Sequence, residues 1–450
     1  MRNVWTLAGA GTLLFTACMV DGTAQPGNGP DTGTGFSGST AQAGTGVGTA
    51  GSTGVGTAGS TGVGTAGTSA AGANTNAGAA TMGGASSGGT GTGTGGTNVP
   101  VEGGSGNVET NPGKGNGFFP TTILPSHAKT AYTTWKTKYL KTCSGNRFRV
   151  AFNADETVSE GIGYGMILTV AHGDRAEFDG LWAYYKSRAT GGLMGWKASG
   201  CDTTTDPNSA SDADLDAAMG LIQAACKWGG TYLTEATTLI ANIKAKETIE
   251  GATNYLKPAS SGLDNCQNAS YFSPGYYRAF AKKKPDQAAF WNKLATDTYT
   301  TLNATANATT GLVPNWSTLS GSAGCGGNVD SDKYGYDAAR TPWRIAVDYV
   351  WNGTPAAKTY LAKLVTWVDG PAGGITAIGD KYTLSGTKES VNHNSTFTGA
   401  FALAAMSVSQ EKANLYGSAF RAISDNVYYE ESLRAMYMLL ASGLFLNACE

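Results

Sequence analysis

Three carboxylates fall within five residues, at Asp212, Asp214 and Asp216, where an apolar pattern typical of a helix begins. From Leu215 to Cys226 the apolar residues recur at the i, i+3, i+4, i+7 spacing of one helix face. Asp212 lies three residues before Leu215, so its side chain is expected on the same buried side. Burying a carboxylate is costly, which makes Asp212 a candidate for chemistry. The plainer alternative is that these aspartates cap the first helical turn.

A fourth carboxyl group, at Glu160, lies in the glycine-rich stretch Thr157-Val-Ser-Glu-Gly-Ile-Gly-Tyr-Gly. Thr157 and Glu160 have the spacing of a capping box, which would place Glu160 in the first turn of a helix. The glycines do not have the spacing of a dinucleotide-binding fingerprint. A capping role and a catalytic role are compatible, because a cap would hold the glutamate at the rim of a cavity.

A fifth carboxyl group, at Asp337, precedes Ala-Ala-Arg340-Thr-Pro342-Trp-Arg. Proline is favoured in the first turn of a helix, so Pro342 places Asp337 in the loop before that helix. An ion pair between Asp337 and Arg340 that steadies the loop is the structural alternative. The chain therefore offers several carboxyl groups at the starts of helices, as general acid–base chemistry requires.

These three segments resemble, in the same order, the signature segments of glycoside hydrolase family 8. The family is inverting, and the resemblance implies that Glu160 is the catalytic acid and Asp337 the general base. It implies that Asp212 holds the sugar in a distorted ring at the cleavage site. Glu160 should then have a raised pKa while Asp337 is ionised. An inverting pair also stands roughly 6.5–9.5 Å apart, to leave room for water.

The resemblance further implies a cleft that grips sugar rings with aromatic faces and hydrogen bonds. Each aromatic residue in it could instead belong to the core. The candidate substrate-binding residues are Trp196, Tyr336, Arg340, Tyr271, Tyr277, Tyr428 and Tyr429.

Apolar periodicity predicts an all-α domain of about twelve helices over 118–450. The predicted helices are 128–142, 157–172, 175–188, 211–228, 231–247, 273–283, 286–304, 340–352, 356–369, 395–408, 411–423 and 430–446. Twelve helices are compatible with several folds. The resemblance selects an (α/α)6 barrel of six inner and six outer helices.

The first 117 residues have a different composition. Residues 1–18 combine a basic start and a short apolar run with Cys18, and Phe-Thr-Ala-Cys resembles a bacterial lipobox. Lipidation at Cys18 is predicted, with ordinary cleavage nearby as the alternative. Residues 19–117 are rich in Gly, Thr, Ser and Ala and contain an eight-residue repeat from Gly46. Such a segment predicts a disordered, flexible linker.

The composition limits the kinds of molecule that the protein is expected to bind. The net charge is −2 with 14% charged residues, which favours neither nucleic acid nor an anionic membrane surface. Three histidines and the lack of a CxxC pair argue against a zinc site, so neither metal nor cofactor is expected. Apart from Cys18, six cysteines form an even set that suggests disulfides of unknown connectivity in an exported protein. A monomer is expected, attached to a membrane only through a lipid anchor at Cys18.

The resemblance implies an inverting endo-β-1,4-glucanase, and the composition is consistent with a neutral β-linked polysaccharide as substrate, either cellulose-type or mixed-linkage β-glucan. It is expected to be exported, as a cell-surface or outer-membrane lipoprotein or otherwise as a secreted enzyme. A xylanase or chitosanase of the same family is the enzymatic alternative. A polysaccharide-binding surface lipoprotein without catalysis is the alternative from another class, although a pure binder has no use for opposed carboxylates.

Overall fold

The computed structural model describes residues 115–327, 329–445 and 447, all of which belong to one compact unit. The predicted signal peptide, Cys18 and nearly all of the predicted linker lie outside the described residues. The α-helices of the described ranges are α1 Pro125–Tyr139, α2 Ser159–His172, α3 Arg175–Ser187, α4 Ser211–Trp228, α5 Tyr232–Glu247, α6 Pro274–Lys283, α7 Ala288–Thr305, α8 Thr341–Asn352, α9 Pro355–Asp369, α10 Ser395–Ala405, α11 Gln410–Ala422 and α12 Tyr428–Ala441.

The even-numbered helices form an inner ring. Each of them packs against the next, and α12 closes the ring by packing against α2. The odd-numbered helices lie outside, and each packs against an even-numbered neighbour. This arrangement is the (α/α)6 barrel, and the predicted fold is confirmed.

Burial differs between the two rings. In the inner helix α4, every residue from 211 to 224 is buried. The outer helix α1 buries only Ala128, Tyr132 and Trp135. An inner helix contacts outer helices on one side and the barrel interior on the other, so it has no solvent-facing stripe. The sequence pattern predicted one buried face for α4, but the helix is buried on all sides over most of its length.

Close packing of α2 against α4 and α12 explains two glycines of the Glu160 segment. A Cβ atom at Gly163 would lie 2.8 Å from Cβ of Asp216 and 2.9 Å from the carbonyl oxygen of Ala213. A Cβ atom at Gly161 would collide with the phenol oxygen of Tyr428 on α12. The glycines therefore let the helix that carries Glu160 approach its two inner neighbours.

Short antiparallel strands lie in the segments between the helices and were not predicted. They are β1 Leu140–Cys143, β2 Arg147–Val150, β3 Glu156–Val158, β4 Ala189–Thr190, β5 Leu193–Met194, β6 Lys197–Ser199, β7 Thr203–Asp206, β8 Thr248–Ile249, β9 Tyr255–Leu256, β10 Cys266–Gln267, β11 Ser317–Thr318, β12 Lys381–Tyr382 and β13 Lys388–Ser390. The largest sheet has the order β3–β6–β7, and β3 leads directly into α2. Because β1 begins at Leu140, α1 ends earlier than predicted.

Disulfides tie loops at two places. Cys143 is bonded to Cys201, and Cys266 is bonded to Cys325. Cys226 is also disulfide-bonded. Of the helices described, none is both long and apolar enough to cross a membrane.

Candidate active site

The three predicted catalytic carboxyl groups lie at the beginnings of inner-ring helices. Glu160 is the second residue of α2 and Asp212 is the second residue of α4. Asp337 immediately precedes the 3-10 turn Ala338–Arg340 that leads into α8. The three side chains meet at one end of the barrel, where they share a single partner.

That partner is the guanidinium of Arg340. Its Nη1 donates hydrogen bonds to Oε2 of Glu160 at 2.5 Å and to Oδ2 of Asp212 at 2.8 Å, while Nη2 donates to Oδ1 of Asp337 at 3.1 Å. Arg340 is 1% exposed, so these contacts form in a largely water-free environment. Arginine suits this position because its planar head presents several donors at fixed angles.

One cation cannot neutralise three buried carboxylates. The resulting excess of negative charge favours the protonated form of Glu160. Burial raises the pKa of Glu160 to about 7, against the lowering effect of Arg340 and with the support of Asp212 and Asp337. A carboxyl group that is protonated at neutral pH is suited to act as a general acid.

Asp337 has a different set of neighbours. Its Oδ2 accepts a hydrogen bond from Nε1 of Trp316 at 3.0 Å, in addition to the bond that Oδ1 receives from Arg340. Burial raises the pKa of Asp337, while Arg340, Trp316 and Asn268 act in the opposite direction. Two N–H donors stabilise the ionised form that a general base needs.

A second arginine lies one helical turn further along α8. The two terminal nitrogens of Arg344 donate to both carboxylate oxygens of Asp216, at 2.6 and 2.7 Å. Both residues are almost fully buried, and their bidentate pairing satisfies the two charges. Asp216 therefore ties α4 to α8 and is not a helix cap.

Three of the predicted substrate-binding tyrosines surround the acidic cluster. The rings of Tyr271 and Tyr429 lie 5.2 and 5.9 Å from the Arg340 guanidinium. The hydroxyl of Tyr429 donates to the backbone carbonyl of Tyr336 at 2.8 Å. Tyr336 is half-buried, whereas Tyr271 and Tyr429 are 5% exposed. Tyr336 thus offers the most accessible ring of the three.

Two further predicted residues flank Glu160. The carbonyl of Trp196 accepts a hydrogen bond from the backbone N–H of Ser159, and its N–H donates to the carbonyl of Asn208. Trp196 therefore links the segments that carry Glu160 and Asp212, with a half-buried ring. Tyr428 lies against Gly161, the residue after Glu160.

The structure places two predicted substrate contacts differently. Tyr277 has no exposed surface and packs against Trp291, so it lacks a free face for a sugar ring. Arg340 is nearly as buried and is engaged by three carboxylates, so it organises the acids and does not line an open surface. The predicted capping box was also wrong, because Val158 is the N-cap of α2 and no side chain caps it.

Sequence reasoning missed Trp316 and Asp380. Trp316 follows Val-Pro-Asn in a loop outside any helical pattern, which was the available signal that it is not an ordinary core residue. Asp380 accepts a hydrogen bond from the Tyr336 hydroxyl at 2.8 Å, and Asn394 donates to that hydroxyl at 3.1 Å. These two side chains hold the ring of Tyr336 in place.

Within the ranges that the structure covers, no group of three or more His, Cys, Asp or Glu side chains is arranged to hold a metal ion.

Comparison with known proteins agrees with this geometry. Residues 122–443 match the model of glycosyl hydrolases family 8. The chain therefore belongs to this family and is a glycoside hydrolase, as its three motifs predicted.

Relatives of known name and structure support the same placement. The chain is 35% identical over 336 residues to Endoglucanase 2 of Ruminiclostridium josui, covering 71% of each chain. It is 36% identical over 360 residues to Endoglucanase A of Acetivibrio thermocellus, covering 73% of each. The apo structure of a β-1,3-1,4-glucanase from Paenibacillus sp. X4 superimposes with a TM-score of 0.69 at 28% identity. That match covers 74% of this chain and 97% of the other.

Proposed function

We propose that this protein is an inverting endo-β-1,4-glucanase that hydrolyses cellulose-type or mixed-linkage β-glucan. The observation that carries the proposal is the convergence of Glu160, Asp212 and Asp337 on Arg340, with the pKa of Glu160 raised to about 7. Such a set supplies a proton donor and a separate carboxylate base, as inverting glycoside hydrolysis requires.

Each carboxyl group has a distinct part in the proposed reaction. Glu160 donates its proton to the glycosidic oxygen as the bond to the anomeric carbon breaks. Asp337 takes a proton from a water molecule, which attacks the anomeric carbon from the opposite face. Asp212 accepts hydrogen bonds from the sugar at the cleavage site. Afterwards Glu160 is ionised and Asp337 protonated, and exchange with solvent restores both.

Glucan is the favoured substrate for two reasons. The two relatives at 35–36% identity are named endoglucanases, and the solved structure compared above is named a β-1,3-1,4-glucanase. A neutral polymer also suits a chain with a net charge of only −2. Chitosan, which carries ammonium groups, would favour a more acidic protein.

Xylan is the second candidate, because one relative at 27% identity over 216 residues is named a reducing-end xylose-releasing exo-oligoxylanase. This match covers 44% of the chain, against 71% and 73% for the two endoglucanases named above.

A panel of soluble polysaccharides tests the proposal. Purified enzyme is incubated with carboxymethylcellulose, barley β-glucan, xylan and chitosan, and reducing ends are measured together with viscosity. We expect release from the two glucans with a rapid fall in viscosity, the sign of internal cleavage. An Asp337→Asn variant controls for contaminating hydrolases. Faster release from xylan or chitosan would replace the proposed substrate, and no release from any polymer would favour a binding protein.

We also propose that the protein is exported and anchored to the cell surface through a lipid on Cys18. The proposal is supported by the basic start, the short apolar run and the Phe-Thr-Ala-Cys sequence at its end. Growth with a clickable fatty-acid analogue should label the full-length protein and leave a Cys18→Ser variant unlabelled. Equal labelling of both would refute the anchor, and an unlabelled wild type found in the medium would indicate plain secretion.

A further inference from the structure

A second pair of carboxyl groups lies buried beneath the site and takes no part in the proposed reaction. Asp214 on α4 and Glu247, the last residue of α5, are both 0% exposed. Two ionised carboxylates in contact inside a protein repel each other and are strongly desolvated. Their coexistence requires a specific arrangement of donors.

The donors around the pair serve only one oxygen of each residue. The Tyr185 hydroxyl donates to Oδ1 of Asp214, and the Ser209 hydroxyl donates to Oε1 of Glu247 at 2.5 Å. The other oxygens, Oδ2 of Asp214 and Oε2 of Glu247, accept no hydrogen bond from any other group in the described part of the chain. A hydrogen bond between the two carboxyl groups lowers the pKa of Asp214 and raises that of Glu247, so each group titrates under the influence of the other. Each orphaned oxygen is satisfied at once if a proton lies between them.

The position of the pair connects it to the reaction. Through Ser209 and Asp214, Glu247 holds both ends of the segment 209–214, and Asp212 lies inside that segment. Asp212 in turn accepts a hydrogen bond from Arg340. Any separation of Asp214 from Glu247 would therefore shift the first turn of α4 and the carboxylate of Asp212 with it.

We propose that Asp214 and Glu247 share one proton, and that this carboxyl–carboxylate hydrogen bond positions Asp212 for the reaction. Both are positioning residues, and their role rests on the proposed function only through Asp212. Glu247 is the partner that carries the proton. Apart from the interaction between the pair, only Ser209 lowers the pKa of Glu247, whereas Tyr185 and the Met194 backbone both lower that of Asp214.

The surroundings of the pair determine the sign of its pH dependence. The titratable groups that face it are Asp212 on α4, Tyr185 on α3 and Tyr277 on α6, and none of them is cationic. Burial raises the pKa of both carboxyl groups, to about 7 for Asp214. The folded protein therefore holds a proton that the unfolded chain releases near its ordinary pKa. The stabilisation is full below that pKa and is lost as pH rises towards and through the folded value.

A substitution that replaces the shared proton by a fixed N–H tests the proposal. In Glu247→Gln the amide can donate to Asp214 while its oxygen accepts from Ser209, so the contacts remain and the titration disappears. Glu250→Gln, at an exposed position three residues away, is the matched control. Unfolding equilibria are measured from pH 5 to pH 9 for wild type and both variants. Each bound proton changes the unfolding constant about tenfold per pH unit.

We expect the unfolding constant of Glu247→Gln to depend on pH by about one proton less than that of wild type, whereas Glu250→Gln should match wild type. Infrared spectra at neutral pH should show that Glu247→Gln lacks one protonated-carboxyl band that wild type and the control retain. An unchanged pH dependence, an unchanged infrared spectrum or a failure of Glu247→Gln to fold would each overturn the shared proton. None of these measurements involves substrate, so they are independent of the proposed activity.

The positioning role has a separate readout. Glu247→Ala removes the contacts to both ends of the segment, so kcat should fall by about tenfold or more. Glu247→Gln should restore most of that loss. If Glu247→Gln is as impaired in kcat as Glu247→Ala while keeping its stability, the pair does not position Asp212 through this hydrogen bond.

Discussion

At the residue scale, the protonation of Glu160 governs the proposed reaction. Glu160, Asp212 and Asp337 share the single guanidinium of Arg340. Burial raises the pKa of Glu160 to about 7. Burial also raises the pKa of Asp337, but the hydrogen bonds from Arg340 and Trp316 act against that rise. The two carboxyl groups thus differ in the number of donors that stabilise their charge.

The pH dependence of hydrolysis follows from this difference. Because Glu160 must be protonated to act, kcat/KM should fall as pH rises above about 7, by about tenfold per pH unit for loss of one proton. Because Asp337 must be ionised, kcat/KM should also fall in acid. A profile of kcat/KM between pH 4 and pH 10 on soluble β-glucan checks both limbs. An alkaline limb absent up to pH 9 would mean that Glu160 is not the acid.

Glu160→Gln should fold normally and lose two orders of magnitude or more in kcat on unactivated glucan, the scale of general acid catalysis. The matched control is Glu156→Gln, four residues earlier, whose carboxylate pairs with Lys197 on the surface. Circular dichroism confirms folding of both variants. Near-normal turnover by the folded Glu160→Gln would remove Glu160 from the catalytic role.

Sequence reasoning identified the proposed catalytic carboxyl groups but not the side chains that contact them. Glu160, Asp212 and Asp337 were found because their motifs are local. The contact of Trp316 with Asp337 and that of Asp380 with Tyr336 join residues 21 and 44 positions apart, so only the fold brings them together. Tyr277 was misplaced because periodicity does not distinguish a buried ring from one that lines a cleft.

At the element scale, the twelve helices were predicted because each has a long apolar period, and most boundaries agree within three residues. The short strands were not predicted, since most have only two or three residues, too few to show an alternating pattern. Two of the pairings, β3 with β6 and β10 with β11, also join segments that are distant in sequence. Trp196 shows why these strands matter. It precedes β6, whose pairing with β3 places Trp196 beside the start of α2.

The glycines of α2 give an element-scale prediction. Gly163→Ala should destabilise the protein by about 1–3 kcal/mol, because the new Cβ atom would overlap Asp216 and Ala213. This cost outweighs the gain of up to about 1 kcal/mol that alanine brings to a helix. Gly251→Ala is the control, since the nearest atom there is 3.6 Å away. Denaturant titration measures both, and a Gly163→Ala variant as stable as wild type would contradict the packing account.

At the scale of the whole molecule, the described residues form a closed barrel whose core is made within 115–447. Residues 19–112 are rich in Gly, Thr, Ser and Ala and offer little apolar surface, and residues 1–18 are the predicted signal peptide. Deletion of residues 1–112 should therefore give a folded enzyme whose kcat/KM matches that of the full-length protein. Circular dichroism and β-glucan hydrolysis check this. An unfolded or inactive truncation would show that the N-terminal segment contributes to the barrel.

The stereochemistry of the first product tests the central claim most directly. If Glu160 is the acid and Asp337 activates water, attack occurs from the face opposite the leaving group, and no glycosyl-enzyme forms. Proton NMR of β-glucan hydrolysis, recorded before mutarotation, should then show the α-anomer first. Initial appearance of the β-anomer would mean that a carboxylate attacks the anomeric carbon directly, and would contradict the assignment of Asp337 as a base.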